Sequence, residues 1–432
     1  MNKTNREIIA LAAPAIVTNI TTPLLGLVDT ALTGHMGHAA YIGAISVGAG
    51  MLSLAYWPLN FLRMGTSGIT AQAYGRRMAG AADSSAVILW RSLIVGLLAS
   101  AVLLITSPWL GPLLLRFMHA DSLTTSLAAT YFSIVIAGAP AVLATYSLTG
   151  WFLGMQNTGA PMWMAIATNI ANIAISALLV FGCGMRIEGV AIGTAAAQWI
   201  GLATGAFMAL RHYPQTRRRM SFSALCRADE LKRFFSVNTD IFLRTLCLAA
   251  VTITFTRTGA QGGPDILAAN ALLMQLFILF SYFMDGFAFS AEALSGKYHG
   301  MGSPASLSST VRALFCWGTA IALAFAALYA AAGRYLLEIL TSQQSVISTA
   351  LGYMPWAVAV PIAGFGAFIW DGVFIGVTRT RGMLLSMAAA VAVYFTVGSL
   401  LAPRMHNHAL WLAFIAYLAT RSLMQTLIYN KK

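Results

Sequence analysis

The chain has 432 residues, of which 58% are hydrophobic and 9% charged, with a formal net charge of +13. Soluble domains carry roughly 25% charged residues, so this chain lacks the polar residues to cover itself in water and reads as an integral membrane protein. The excess of Lys and Arg does not mark a nucleic-acid binder. It lies between the hydrophobic runs, as the positive-inside rule requires, and no nucleic-acid module is present.

Runs of about 20 apolar residues are long enough to cross a bilayer. Twelve are predicted: 7–33, 44–74, 86–107, 124–154, 162–182, 189–211, 231–258, 265–295, 312–333, 347–376, 383–402 and 408–427. The N-terminal run is read as a retained first helix, since it lacks a clear cleavage site and many spans follow. Pro14 and Pro23 in span one, and Pro355 and Pro361 in span ten, are the expected kinks.

Lys3 and Arg6 precede span one, and Arg76 and Arg77 follow span two. Arg211, Arg217, Arg218, Arg219, Arg227, Lys232 and Arg233 surround the loop after span six. Lys297 follows span eight, Arg379 and Arg381 follow span ten, and Lys431 and Lys432 end the chain. With twelve spans all fall on one side, which places both termini and the central loop in the cytoplasm. The loop divides the chain into an N-terminal lobe of six spans (1–212), a basic linker (213–230) and a C-terminal lobe of six (231–432). AQAYG at 71–75 is echoed by AEALSG at 291–296, and LGMQNTGA at 153–160 by IGVTRTRG at 375–382. The lobes therefore read as parallel repeats related by a pseudo-twofold axis along the membrane normal.

An acid at the centre of a span costs roughly 2.5–3.5 kcal/mol, so each is either near a helix end, paired, or functional. Asp29 stands late in span one, in PLLGLVDTALTG. It is either an acid near the outer surface or one directed at a polar interior. Thr18, Asn19, Thr21, Thr22 and Thr30 give that helix a polar side. In span five, Asn169, Asn172 and Ser176 share one helix face, and span six adds Thr194 and Gln198. Their oxygens suit an alkali cation or a carboxyl group, or hold helices together.

In span seven Asp240 and Arg244 are four apart, which is the spacing of an ion pair. Span eight contributes Asn270, Gln275, Asp285 and Glu292. The last, near the cytoplasmic end, reads as solvated or as locking a loop. Asp371 lies in span ten.

Cys183, Cys226, Cys247 and Cys316 are scattered and form no metal spacing. His35 and His38 form an HxxH with no further ligand nearby. No cofactor is expected, and no metal beyond Na⁺ at Asp29. Tyr56, Trp57, Met64, Met155, Met274, Tyr282, Phe283 and Met284 are aromatic and Met side chains that are candidates, by span alone, to line a cavity.

Several stretches together carry a family resemblance that covers nearly the whole chain. They are PAIVTNITTPLLGLVDTALTGHMG in span one, FLRMGTSGITAQAYG ending span two, NTDIFLRTL in span seven, AANALLMQ and SYFMDGFAFSAEALSG in span eight, and DGVFIGVTRTRGM after span ten. By these the chain resembles the multidrug and toxic compound extrusion (MATE) family, in its DinF-like branch. The resemblance implies an all-α membrane protein of two six-helix lobes, V-shaped around a central cavity. It implies export of small organic cations and amphipathic compounds in exchange for H⁺ or Na⁺, by a monomer surrounded by lipid. In such proteins a first-helix acid binds the coupling ion. Asp29 matches it, Pro14 matches the proline at its kink, and Asn172 and Thr194 match its polar partners. The chain departs from the pattern at Ser176, where many relatives carry a second acid. With one carboxylate, coupling to a proton is favoured over Na⁺, and protonation of Asp29 is expected to bend the first helix at Pro14 or Pro23. A flippase for lipids or lipid-linked precursors would share the architecture, but its cavity would be strongly cationic. An intramembrane enzyme is the alternative of a different class, and neither YD with GxGD nor HExxH nor GxSxG is present.

Overall fold

The computed structural model describes residues 3–34, 39–118, 121–217, 225 and 227–431. The described residues are helical throughout their length, apart from short turns. That is the expected outcome for a chain crossing lipid, where the backbone must satisfy its hydrogen bonds internally.

Helix α1 runs from Lys3 to Gly34. Eleven further helices or helix runs are long and apolar enough to span a membrane: α2 (Ala40–Met78), α3 (Ser85–Met118), α4 (Ser122–Gly154), α5 (Gly159–Gly182), α6 (Ile187–His212), α7 (Ala228–Gln261), α8 (Pro264–Gly300), α9 (Pro304–Leu340), α10 (Gln344–Gly376), α11 (Thr380–Met405) and α12 (Asn407–Asn430). Each predicted span lies inside one of these twelve. The helices outrun most predictions by a few residues, because polar ends project beyond the apolar run.

The breaks in helical structure lie at other places than the four prolines read as kinks. Helical structure runs unbroken through Pro14 and Pro23 in α1, and through Pro355 and Pro361 in α10. Instead α2 and α4 are broken at mid-length by the tight turns Trp57–Asn60 and Ile136–Gly138. Pro58 stands at the start of the first turn and Pro140 at the start of the helix after the second, where a missing N–H costs least. Outside the spans, Asp121 caps α4. Its carboxylate accepts hydrogen bonds from Thr124, which hold its pKa below the ordinary value.

The chain forms two compact units, one from Ala13 to Phe235 and one that joins the residues up to Ala12 to those from Ser236 onward. The start of α1 belongs with the second unit for visible reasons. Glu7 accepts hydrogen bonds from Lys297 Nζ (3.2 Å) and Tyr298 Oη (2.8 Å), and Ser290 Oγ donates to the carbonyl of Ile8 (3.0 Å). In the first unit, the stretch after α6 is tied to α3. Trp90 Nε1 donates to Thr216 O, and Arg91 Nε donates to Leu225 O, each at 3.2 Å.

The two sequence echoes meet one another in three dimensions. In the first unit α4 packs on α2 so closely that a Cβ on Gly154 would lie 2.7 Å from Ser67 O and 2.8 Å from Ala71 N. In the second unit α10 packs on α8 the same way, and a Cβ on Gly376 would lie 2.8 Å from Gly296 N. The turns that follow also match. Gln156 and Thr378 both adopt positive φ, at 63° and 54°. Asn157 N donates to Phe152 O and Arg379 N to Phe374 O, each at 2.9 Å, closing the helix end in a Schellman-type cap. The same helix contact and the same cap are thus built twice.

This contact yields a test. Gly154→Val or Gly376→Val should lower the melting temperature of the purified protein in detergent, by an amount matching the roughly 1–3 kcal/mol typical of overpacking. Gly352→Ala, where nothing lies within 4 Å of the new Cβ, should be neutral or slightly stabilising, because Ala is the better helix former. Equal melting curves for the two classes would refute the packing argument.

Candidate functional site

In the first unit, four helices converge on Asp29. The residue is 3% exposed. Tyr131 on α4 donates to its Oδ2 at 3.4 Å, and Thr194 on α6 donates to the same oxygen at 3.2 Å. Asn172 on α5 donates through Nδ2 to Thr194 Oγ1 at 3.0 Å. One turn away, Asn169 Nδ2 donates to the α1 carbonyl of Thr21 at 2.9 Å, fastening α5 to α1. Asp29 Oδ1, Asn172 Oδ1 and the hydroxyl of Ser176 are buried without a hydrogen-bonding partner. Among the described residues no Lys, Arg or His lies within ion-pair distance of Asp29. The carboxyl group is therefore enclosed by neutral groups, with one oxygen satisfied and one open.

Local packing sets this geometry. A Cβ on Gly193 would lie 2.8 Å from the backbone nitrogen of Ser176, so α6 can press against α5 only because residue 193 is glycine. One residue further on, that close approach brings Thr194 between Asn172 and Asp29. The α1 hydroxyls find acceptors within their own helix. Thr18, Thr21, Thr30 and Thr33 donate back to carbonyls of their own helix. Pro14 and Pro23 are half-buried within the same helix.

The second unit treats its deep acid in the opposite way. Asp371 on α10 is paired with Arg244 from α7 and with Arg421 from α12, the latter at 2.6 Å. Gln425 Nε2 donates to its other oxygen at 2.7 Å. Arg421 also donates to Tyr417 Oη at 3.4 Å. This corrects the pairing expected from the sequence: Arg244 takes Asp371 rather than Asp240, four residues before it. Tertiary packing offers Arg244 a buried, multiply bonded carboxylate. Asp240 is only half-buried and accepts from Thr380 Oγ1 at 2.7 Å.

Asn270 and Asn407 form a reciprocal amide pair at 2.8 and 3.0 Å, to which Trp411 Nε1 adds a third bond at 2.9 Å. Gln275 is exposed, and Asp285 is half-buried beside Tyr282. Glu292 is 1% exposed, so it is not a solvated end residue. Tyr56, Met155 and Met284 are buried, Met155 just past the end of α4.

Tyr131, Arg421, Gln425, Asn407 and Trp411 are site residues that the sequence reading missed. Arg421 and Gln425 carried a readable signal, a polar pair four residues apart inside an apolar span. A lone tyrosine such as Tyr131 carries none. His35, His38 and Cys226 lie outside the described residues. Among the described residues, no group of three His, Cys, Asp or Glu is placed to hold a metal ion.

Comparison with known proteins was made by sequence and by fold. The family model MatE matches residues 14–178 and 241–400. The chain is 37% identical over 423 residues to DNA damage-inducible protein F of Escherichia coli (strain K12), covering 98% of this chain and 91% of that one. It is 26% identical over 443 residues to a probable multidrug resistance protein NorM of Deinococcus radiodurans, covering 99% and 96%. Among solved structures, the Vibrio cholerae MATE transporter VcmN in its bent form superposes with a TM-score of 0.88 at 18% identity, over 99% of this chain and 96% of that one. A MOP superfamily transporter from Pyrococcus furiosus gives 0.85 at 16% identity, over 99% and 95%.

The buried cluster of the second unit makes a direct prediction. Asp371→Ala leaves two buried guanidinium groups without their carboxylate and should cost about 3–5 kcal/mol. The loss would be read as a fall in folded, monodisperse protein on size exclusion. Asp240→Asn removes charge from a half-buried group with one hydrogen bond and should cost roughly 1 kcal/mol. Similar yields for the two variants would contradict the assignment of Arg244 to Asp371.

Proposed function

The chain belongs to the MatE family of transporters, in the branch of DNA damage-inducible protein F, and from that premise we propose that it exports amphipathic organic cations by exchange for protons at Asp29. The observation that carries this reading is the state of Asp29: buried, without a counter-cation, and with one oxygen open. A carboxylate in that setting gains from any cation that reaches it, and a proton is the smallest. Protonation removes the buried charge. It also converts one of two unpartnered acceptors, Asp29 Oδ1 and Asn172 Oδ1, into a donor within the same cluster. The neutral and ionised forms thus favour different hydrogen bonding among α1, α5 and α6. A ligand shifts a conformational equilibrium only by its differential affinity for the two states, and this change of bonding supplies such a difference.

Pro14 and Pro23 leave α1 short of backbone donors, so α1 is the helix whose bending answers the protonation. The open oxygens of Asp29, Asn172 and Ser176 are also of the kind that hold Na⁺. A single carboxylate among them makes the proton the better fit. The basic loops support an orientation with both termini on the cytoplasmic side of the inner membrane, and the proposed transport unit is a single chain.

The test uses the full chain in proteoliposomes in sodium-free buffer, with ethidium as substrate and an imposed pH gradient. Efflux should follow the gradient, collapse with a protonophore, and fall to the level of empty vesicles in Asp29→Asn. Gradient-driven efflux that persists in that variant at normal protein level would remove Asp29 from the coupling role. Efflux that appears only when sodium is added would transfer the role from H⁺ to Na⁺.

A further inference from the structure

One end of the first unit gathers positive charge. Helix α2 ends there at Met78, and α3 and α7 begin there at Ser85 and Ala228. The ends of helices that cross a bilayer stand at the depth of the lipid headgroups. The start of α7 is fixed by Phe234, which is 1% exposed and packs in one cluster with Ile69 and Ala73 of α2 and Ile88 of α3. Beside it, Arg233 donates to Oε1 of the buried Gln72 on α2 at 2.7 Å. Arg76 stands one turn after Gln72 on the same face of α2. Its guanidinium group therefore neighbours that of Arg233, and the two like charges act on one another.

The acids at this end do not neutralise Arg76. Glu230, one turn before Arg233, pairs with the buried Arg91 of α3 at 3.5 Å, and Arg91 also donates to Leu225 O at 3.2 Å. Glu230 acts on Arg76 from beyond ion-pair distance. Asp83 pairs with Arg77 at 3.2 Å, and Asp229 is exposed near the start of α7. Among the described residues the Arg76 side chain forms no hydrogen bond and no ion pair. Arg233 is positioned by a neutral amide, which aims the guanidinium without cancelling its charge. An anion lying between the two groups would relieve their repulsion. The oxygens of a phosphate match the planar fork of N–H donors that each arginine presents. Exposed apolar side chains continue from this cluster along the spans. Trp90, Ile94 and Leu97 share one face of α3, and Phe235 follows Arg233 on α7. A soluble phosphate would use the arginines alone, whereas a phospholipid would use both features.

We propose that Arg76 and Arg233 hold the phosphate of an anionic phospholipid whose acyl chains lie along the exposed apolar faces of α3 and α7. A headgroup with a net negative charge is preferred, because the ammonium of a zwitterionic one would be repelled by the same two arginines. The lipid joins α2 to α7 from outside, next to the contact that Gln72 makes from within. It is bound at the rim and is not carried across the membrane.

The test uses the full chain purified in detergent. Its probes are phosphatidylglycerol and phosphatidylethanolamine with the same acyl chains, read by native mass spectrometry and by melting temperature. The wild type should keep phosphatidylglycerol in preference and gain melting temperature from it. Arg76→Gln should lower that preference roughly fivefold, the effect of one basic residue at a charged membrane surface. Arg233→Gln should lower it as well. Arg381→Gln, which removes an exposed charge in the second unit, should leave it unchanged. The ratio of the two lipids is read within one sample, so it decides the matter even where a variant is less stable. Equal retention of the two lipids by the wild type would overturn the proposal. So would an equal loss in Arg76→Gln and Arg381→Gln, which would mean an undirected response to surface charge. Glycerol 3-phosphate that raises the melting temperature as far as phosphatidylglycerol does would make the ligand a soluble phosphate and overturn the lipid.

Discussion

A buried carboxylate without a counter-cation is the constraint around which the first unit is arranged. Asp29 is enclosed by Tyr131, Thr194 and Asn172, which are donors without charge. Neutral donors lessen the cost of burying an anion but do not cancel it. The second unit contains the comparison. Asp371 is equally deep, and there two arginines and a glutamine meet both of its oxygens. One acid is met by neutral donors only, and the other is tied into the protein by two arginines. The chain uses the same residue type for a cluster of neutral partners in the first unit and for an ion-paired one that holds helices α7, α10 and α12 together.

Glycine packing explains how the cluster around Asp29 is held in place. Gly154 and Gly376 let paired helices touch at backbone distance in each unit, and Gly193 does the same for α5 and α6 beside Ser176. Contacts of this kind position side chains through the backbone, so the groups around Asp29 need not be aligned by long flexible chains. The recurrence of the glycine contact and of the positive-φ cap after it, at Gln156 and Thr378, shows a common construction. The acid chemistry differs between the units although the scaffold is alike.

The fold was largely legible because its determinant, the length of apolar runs, is a property of the sequence itself. The echoes at 71–75 and 153–160, with their counterparts at 291–296 and 375–382, were legible for a related reason. Glycine at a backbone contact tolerates no replacement that keeps the distance, so the motif stays visible in both halves. Asp29, Asn172 and Thr194 were reached through polar residues on helix faces and the family resemblance. Partner choice was not legible. Spacing offered Arg244 the local acid Asp240, but Asp371 and Arg421 come from helices far along the chain. Likewise the threonines of α1 read as a polar face, yet their hydroxyls turn back to their own helix. Periodicity reports which side a residue is on and not which acceptor it finds.

Ser176 joins these points. The resemblance sets a second acid at this position in many relatives, and here α6 closes on it: a Cβ on Gly193 would lie 2.9 Å from Ser176 Cα. A serine ends within that space, whereas a carboxylate would need room between helices that already touch. The close packing that seats Thr194 between Asn172 and Asp29 is therefore the same feature that limits the site to one acid. With Asp29 as the coupling group, one proton bound and released per cycle is the full capacity of the first unit. Exchange of that proton for a monovalent organic cation would move no net charge across the membrane, so such a cycle would respond to the pH gradient and not to the electrical potential. A cation carrying two charges would have to draw on a group outside this cluster, and Asp371, neutralised by Arg244 and Arg421, is not free to serve.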